Sequence, residues 1–265
     1  GGGLLTTCGV THVGGPEQDE HGTRGLHDQF SNSPAELISI KQPDLANGDY
    51  EMSITGKIFQ GHPLGDNIEI TRTIRCILGH PTIYLDDEIQ NIGNIYSSHM
   101  ILYHFNFGWP FIDAGTKLLW KGAWQSRETG ADNKIFKEGQ DFRTCQEPRE
   151  DHSGSGEEAA LIDVESDEQG QVDCGIYNEK LGFALKLSFN KKQLPWLTNW
   201  QHWGRGEYVT GMEPGTNPPL GQKLMRERGE LIQLKPGEKR KYNLEISILN
   251  KPDSITEFVN KYINL

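Results

Sequence analysis

Apolar and polar side chains alternate with a period of two through much of this chain. The clearest runs are 67–78, where Ile68, Ile70, Ile74 and Cys76 share a face with Arg72, and 82–91, with Ile83, Leu85 and Ile89. Residues 51–60 alternate in part through Met52, Ile54 and Ile58. Such alternation marks strands with one buried and one wet face, and so antiparallel sheets. The glycine-proline segments Gly61-His62-Pro63-Leu64-Gly65 and Gly79-His80-Pro81 are the turns between them and leave His62 and His80 in solvent. Further strands are predicted at 4–7, 159–165, 171–178, 182–189, 230–234 and 241–249, with 171–178 and 182–189 forming a hairpin. Lys235-Pro236-Gly237-Glu238 carries the proline-glycine centre of a type II turn. One helix is expected at 254–262, with Ser254 as N-cap and Glu257 at its third position. Many strands, one helix and no βαβ alternation predict an all-β chain, a large antiparallel sandwich formed as a single domain over residues 1–265.

Composition narrows the function. Of 265 residues, 35% are apolar and 24% charged, and the net charge is −11. That charge argues against nucleic acid, whose recognition needs a positive surface. No apolar run approaches the roughly 18 residues that span a bilayer, so no membrane partner is expected. No signal peptide is visible, and Cys8, Cys76, Cys145 and Cys174 are scattered without a CxxC pair. They read as free thiols of a cytoplasmic protein. The acidic runs Asp86-Asp87-Glu88, 147–151 and 151–158 read as solvated. Gly1-Gly2-Gly3 runs directly into a strand, so the chain is expected to begin inside its domain, with earlier sequence absent.

Three clusters carry candidate chemistry. The first is Met100–Pro110, where an apolar strand leads to His104, Asn106, Phe107 and Trp109. The second is Gly211-Met212-Glu213-Pro214-Gly215-Thr216-Asn217, a lone carboxylate at a strand end. The third is the long loop 8–36, holding His12, His21, His27 and Arg24. Aromatic faces at Phe107, Trp109, Trp200 and Trp203 suit sugar rings, and histidines and amides suit hydroxyls that both donate and accept. One carboxylate and one imidazole suffice to move a proton on and off a hemiacetal. The two are expected to face each other across a sugar-sized gap. His12, His21 and His27 with Asp19 and Glu20 could also be read as metal ligands, but spacings of nine and six match no known ligand pattern. GxGxxG, P-loop, HExxH and GxSxG signatures do not occur.

Several segments resemble the aldose 1-epimerase (galactose mutarotase-like) superfamily, and within it the family of the domain of unknown function DUF4432. They are 3–9, Gly25-Leu26-His27 with 31–36, 102–108 and 206–217, in the expected order along nearly the whole chain. The terminal Leu234-Lys235-Pro236-Gly237-Glu238 also fits. The resemblance implies a β-supersandwich with a sugar site on a concave sheet, Glu213 as general base and His104 as general acid, with His99 the alternative acid. His27 matches the family's substrate-binding histidine, and Asp28 stands where the family usually has glycine. Arg24, His12, Asn106, Trp109, Asn217 and Trp203 complete the expected sugar contacts. The implied reaction interconverts α and β anomers by ring opening and needs no cofactor or metal. The alternative is a non-catalytic carbohydrate-binding or sensing domain. A lyase or hydrolase acting on an oligosaccharide is the weaker third reading. The expected partner is a small sugar, and a homodimer is left open.

Overall fold

The computed structural model describes residues 3–262; Gly1 and Gly2 of the glycine start lie outside the described residues. About 49% of the chain is strand and 9% helix. The strands are β1 (Leu5–Val10), β2 (Glu17–Asp19), β3 (Gly22–Arg24), β4 (Glu36–Lys41), β5 (Glu51–Gly61), β6 (Asn67–Ile77), β7 (Thr82–Asn91), β8 (Ser97–Gly108) and β9 (Lys117–Leu119). They continue with β10 (Gly122–Ser126), β11 (Glu158–Val164), β12 (Gln171–Asn178), β13 (Phe183–Asn190), β14 (Trp196–Gly204), β15 (Glu207–Gly215), β16 (Ile232–Leu234) and β17 (Lys239–Leu249). Helix α1 spans Gln222–Glu227 and α2 spans Pro252–Asn260. The chain forms two compact units. One holds residues 1–6, 103–214 and 247–265, and the other residues 7–102 and 215–246.

The second unit is built on an antiparallel array in the order β4-β5-β6-β7-β17. Its alternation places Ile68, Ile70, Leu85 and Ile89 on the covered face, all buried. Asp87 falls on that same face, directly opposite Arg72 on β6. It is therefore not solvated, contrary to the reading of the 86–88 run. Its carboxylate takes Arg72 Nε at 2.8 Å and Nη2 at 2.6 Å, and its side chain is fully covered. A buried carboxylate persists only when paired in this way. The 235–238 turn closes as expected, with Glu238 N donating to the Lys235 carbonyl at 2.9 Å and Gly237 at φ +78°. His62 and His80 are exposed.

The first unit carries the β12–β13 hairpin, as expected, with β9 added to the β12 edge. Helix α2 lays Phe258 and Tyr262 against Leu119 and Ala184. It starts two residues earlier than the predicted cap, because Pro252 occupies the first turn and Lys251 is the N-cap. Proline is preorganised for that position and needs no partner there. The unit's other sheet runs β8-β15-β14-β11-β10.

Several short elements escaped the sequence reading: β2, β3, β4, β9, β10 and α1. Six residues of α1 span fewer than two turns, too few for a 3.6 period to register. The 151–158 stretch is not all solvated. His152 and Glu158 are buried, the latter accepting from the Lys134 and Ile135 amides at 2.8 Å each. The four cysteines are free thiols, three of them buried. Among the described residues no helix is long and apolar enough to cross a membrane.

Candidate functional site

Strand β8 builds one wall of the site in the first unit. From Tyr103 its side chains alternate strictly: Tyr103, Phe105 and Phe107 are buried, while His104 and Asn106 are half-buried on the opposite face. Period-two geometry thus separates an apolar face from one that carries an imidazole and an amide. The Asn106 amide nitrogen donates to the Gly3 and His104 carbonyls, at 3.2 Å each.

On β15 the same geometry aligns Glu207, Val209, Gly211 and Glu213. The structure brings Glu213 and His104 together: imidazole Nε2 lies 3.1 Å from carboxylate Oε1. The Glu213 side chain is 4% exposed and the His104 side chain 20%. This corrects the expectation of a sugar-sized gap, since the two groups touch. The approach is not the in-line one of a hydrogen bond, and Oε1 is buried without a hydrogen-bond partner. Gly211 makes room for it. A Cβ there would lie 2.2 Å from Oε1, so the carboxyl folds back over bare backbone. Burial pushes the Glu213 carboxyl well above its usual range; Arg127 pulls it down and Glu157 pushes it further up.

Strand β14 supplies the aromatic wall. The Trp200 ring meets the His104 ring edge-on at 5.5 Å and lies parallel to His202 at 5.9 Å. Trp200 Nε1 donates to Glu157 Oε2 at 2.7 Å, and Arg127 Nη2 donates to Glu157 Oε1 at 2.9 Å. Ala159 is the β11 residue opposite Trp200, and its carbonyl takes the Arg127 amide at 2.8 Å. Trp200, Glu213 and His104 therefore share one face on β14, β15 and β8, which Arg127, just past β10, and Glu157, just before β11, extend. Sequence reasoning missed His202 and Glu157. The signal for His202 was present, because alternation through 200–203 puts His202 with Trp200 and Trp203 with Gln201.

Two predicted sugar faces are corrected by the same alternation. Trp203 is fully buried, its indole N–H donating to Gln201 at 3.2 Å. Phe107 is also buried, edge-on to Phe111. Trp109 is 76% exposed. A cleft of about 1270 Å³ is lined by Asn106, Trp109, Glu157, Trp200, His202 and Tyr208 among others; His104 and Glu213 are not among its lining residues.

His12, Arg24, His27 and Asn217 belong to the second unit. His12 is buried, with Nε2 2.8 Å from the Gly15 carbonyl and Nδ1 accepting from Gln222 N at 3.2 Å. Arg24 is bound to Glu17 at 2.8 Å and to Asp19 at 2.5 Å. Asn217 is buried, donating to the Glu230 carbonyl at 3.1 Å. These three side chains brace their own loops and are not the free sugar contacts expected. His27 is half-buried. Its Nδ1 accepts from Gly14 N at 3.2 Å, which leaves the proton on Nε2 and makes that nitrogen a donor. His27 and Asp28 sit at φ +54° and +60°. That left-handed backbone accounts for the family's glycine at position 28, and aspartate is one of the few residues that tolerate it. The Asp28 carboxylate fixes the turn through Thr11 Oγ1 at 2.6 Å and Gln60 Nε2 at 2.8 Å.

His99 is wholly buried between the Val10 carbonyl at 3.0 Å and the Tyr242 hydroxyl at 2.7 Å, and burial lowers it to about 4. Among the described residues no group of three or more histidine, cysteine or acidic side chains is arranged to hold a metal.

Comparison with known proteins places these features. A family model, Domain of unknown function (DUF4432), matches residues 1–248. No curated protein matches the chain. Among solved structures, a candidate aldose 1-epimerase from Klebsiella pneumoniae subsp. pneumoniae MGH 78578 superposes with TM-score 0.84 at 23% identity. The match covers 97% of this chain and 66% of that one, so this chain spans just under two thirds of that relative. A galactose mutarotase-like protein from Clostridium acetobutylicum gives TM-score 0.61 at 14% identity, covering 93% of this chain and 79% of that one. A candidate aldose 1-epimerase from Escherichia coli K12 gives 0.62 at 12% identity, covering 94% and 83%. Identities this low carry the fold alone. The chain belongs to the DUF4432 family, and its fold is the galactose mutarotase-like antiparallel β-supersandwich.

Proposed function

We propose that this protein interconverts the anomers of a reducing sugar by acid/base ring opening at His104 and Glu213. The observation that carries the reading is the 3.1 Å contact between imidazole Nε2 and a buried carboxylate oxygen with no hydrogen-bond partner of its own. The anomeric oxygen and the ring oxygen of a pyranose hang on the same carbon. Two catalytic atoms side by side can therefore reach both from one direction, without flanking the sugar.

The reactive form has Glu213 ionised and His104 protonated. Glu213 takes the proton of the anomeric hydroxyl, and that O–H electron pair becomes the second bond of the carbonyl. The C1–O5 bond breaks toward O5, which receives the His104 proton. Rotation about C1–C2 presents the other carbonyl face. Closure then returns one proton from O5 to His104 and the other from Glu213 to the new hydroxyl. Burial makes Glu213 a stronger base than an exposed carboxylate, which suits this role. The Trp200 ring beside His104 offers the apolar surface that a pyranose face needs.

The substrate in this reading is uncharged. Arg24, Arg127 and Arg205 each lie against a carboxylate: Glu17 and Asp19, Glu128 and Glu157, and Glu150. None is left over for a phosphate or a sugar acid. The test is exchange NMR between anomers over a panel of neutral and acidic reducing sugars. Acceleration for at least one neutral sugar, abolished in Glu213→Gln, is the expected result. Binding without acceleration would instead favour a carbohydrate-sensing domain.

A further inference from the structure

We infer that strand β4 is a docking edge for a second copy of this chain, the two β4 strands pairing antiparallel about a two-fold axis between Ile38 and Ser39. The pairing lies in the second unit and is independent of the chemistry at His104 and Glu213.

β4 ends the array β4-β5-β6-β7, so among the described residues one row of its backbone N–H and C=O groups has no neighbouring strand. All six of its residues are exposed. The apolar face of the array runs out to this edge uncovered. Ile40, Ile54, Ile74 and Leu85 stand opposite one another on successive strands, and their exposure falls from 57% through 45% and 37% to 2%. Leu37 and Ile83 belong to the same face and are exposed as well. A contiguous apolar surface of this kind marks an interaction site.

The edge is complementary to itself. Its sequence, Glu36-Leu37-Ile38-Ser39-Ile40-Lys41, has an acid at one end, a base at the other and an apolar residue inside each. The bulge between Leu37 and Ser39 takes Ile38 out of the alternation. Leu37 and Ile40 therefore pair with Gly56 and Ile54 on the apolar face, while Glu36 and Lys41 pair with Lys57 and Ser53 on the polar face. Directly opposed residues of an antiparallel pair share a face. In a regular strand residues 36 and 41 point to opposite faces and could not oppose each other; the bulge lets them. A second β4 then sets its Lys41 against Glu36 and its Ile40 against Leu37, and the axis repeats both pairs. Bulges and edge lysines usually keep sheet edges from pairing. Here the two together suit the edge to its own copy. Lys41 Nζ lies 3.0 Å from Asp49 and 3.2 Å from Glu51, and the side chain is still 43% exposed. Its ammonium carries three donors, more than those two carboxylates require. Main-chain hydrogen bonds supply the affinity of such an added strand and the side chains set its register. A contact of six-residue strands is at the small end of protein interfaces, so the dimer is weak and concentration-dependent.

The experiment is sedimentation velocity on the chain from about 1 µM to about 1 mM. The wild type is expected to dimerise within that range. Ile40→Ser should raise the dimer Kd at least ten-fold and leave the thermal midpoint near wild type, because the side chain is exposed in the monomer. Glu36→Lys and Lys41→Glu each set like charges opposite one another twice, and each should weaken self-association at least ten-fold. An equimolar mixture of those two variants should recover the wild-type Kd to within about three-fold, since both cross-pairs are then of opposite sign. If a charge variant loses its thermal transition, Ile40→Ser decides alone. A wild-type chain that stays monomeric throughout overturns the inference and leaves the edge to some other strand. A dimer that Ile40→Ser leaves intact overturns it too, as do folded charge variants whose mixture associates no better than either alone.

Discussion

Gly211→Ala probes the site without touching either reacting group. An added Cβ would stand 2.2 Å from Glu213 Oε1, 3.1 Å from Cδ and 3.2 Å from Cγ. The carboxyl must retreat by about 1 Å to regain ordinary contact, and misplacement of that size costs about 100-fold in rate. That corresponds to about 2.7 kcal/mol of lost transition-state stabilisation. Stability should move much less. Gly211 lies within β15, where alanine fits the backbone, and the lost freedom of the unfolded chain stabilises by about 0.4–1 kcal/mol, offsetting part of the clash. The assay is kcat for anomer exchange together with the urea midpoint. A drop near 100-fold in kcat with a midpoint close to wild type is expected. Wild-type kcat would refute the claim that the carboxyl position sets the rate. A collapse of the midpoint would show that Gly211 serves the fold rather than the site.

Two further predictions follow from charge. Glu213 must be ionised to act as base, and burial raises its pKa above the ordinary 4.5. The rate should therefore fall as pH is lowered through a value above 4.5, and Glu213→Gln should abolish that limb. A pH–rate profile flat from pH 7 down to 4.5 would contradict this. In the second unit, Asp87→Ala strands the Arg72 guanidinium on a covered face and should destabilise the chain by about 3–5 kcal/mol in urea unfolding, whereas Arg72→Met with Asp87→Leu should recover much of the loss. A single-variant cost below about 1 kcal/mol would show that the pair is solvated.

The parts of the fold that could be read from the sequence are those where local pattern and tertiary burial agree. Strands β5, β6 and β7 fall within a residue of their predicted ends, because Ile68, Ile70, Leu85 and Ile89 alternate into a covered face. His104 and Glu213 stood out for a related reason: each is a polar group that alternation puts beside apolar neighbours. What stayed hidden depends on pairing between distant strands. Nothing local to Glu157 marks it, and its value comes from Ala159 lying opposite Trp200. Asp87 looked solvated because its partner Arg72 is fifteen residues away on the next strand. Trp203 looked like a sugar platform because composition counts rings, whereas burial depends on which face of β14 each ring occupies.

A crystal structure of Glu213→Gln with a reducing sugar that the wild type isomerises would test the central claim most directly. The anomeric oxygen should lie within about 2.6–3.2 Å of the side chain at position 213, with the ring oxygen at the same reach from His104 Nε2. A sugar bound in the cleft with its anomeric carbon turned away from both side chains would contradict the account.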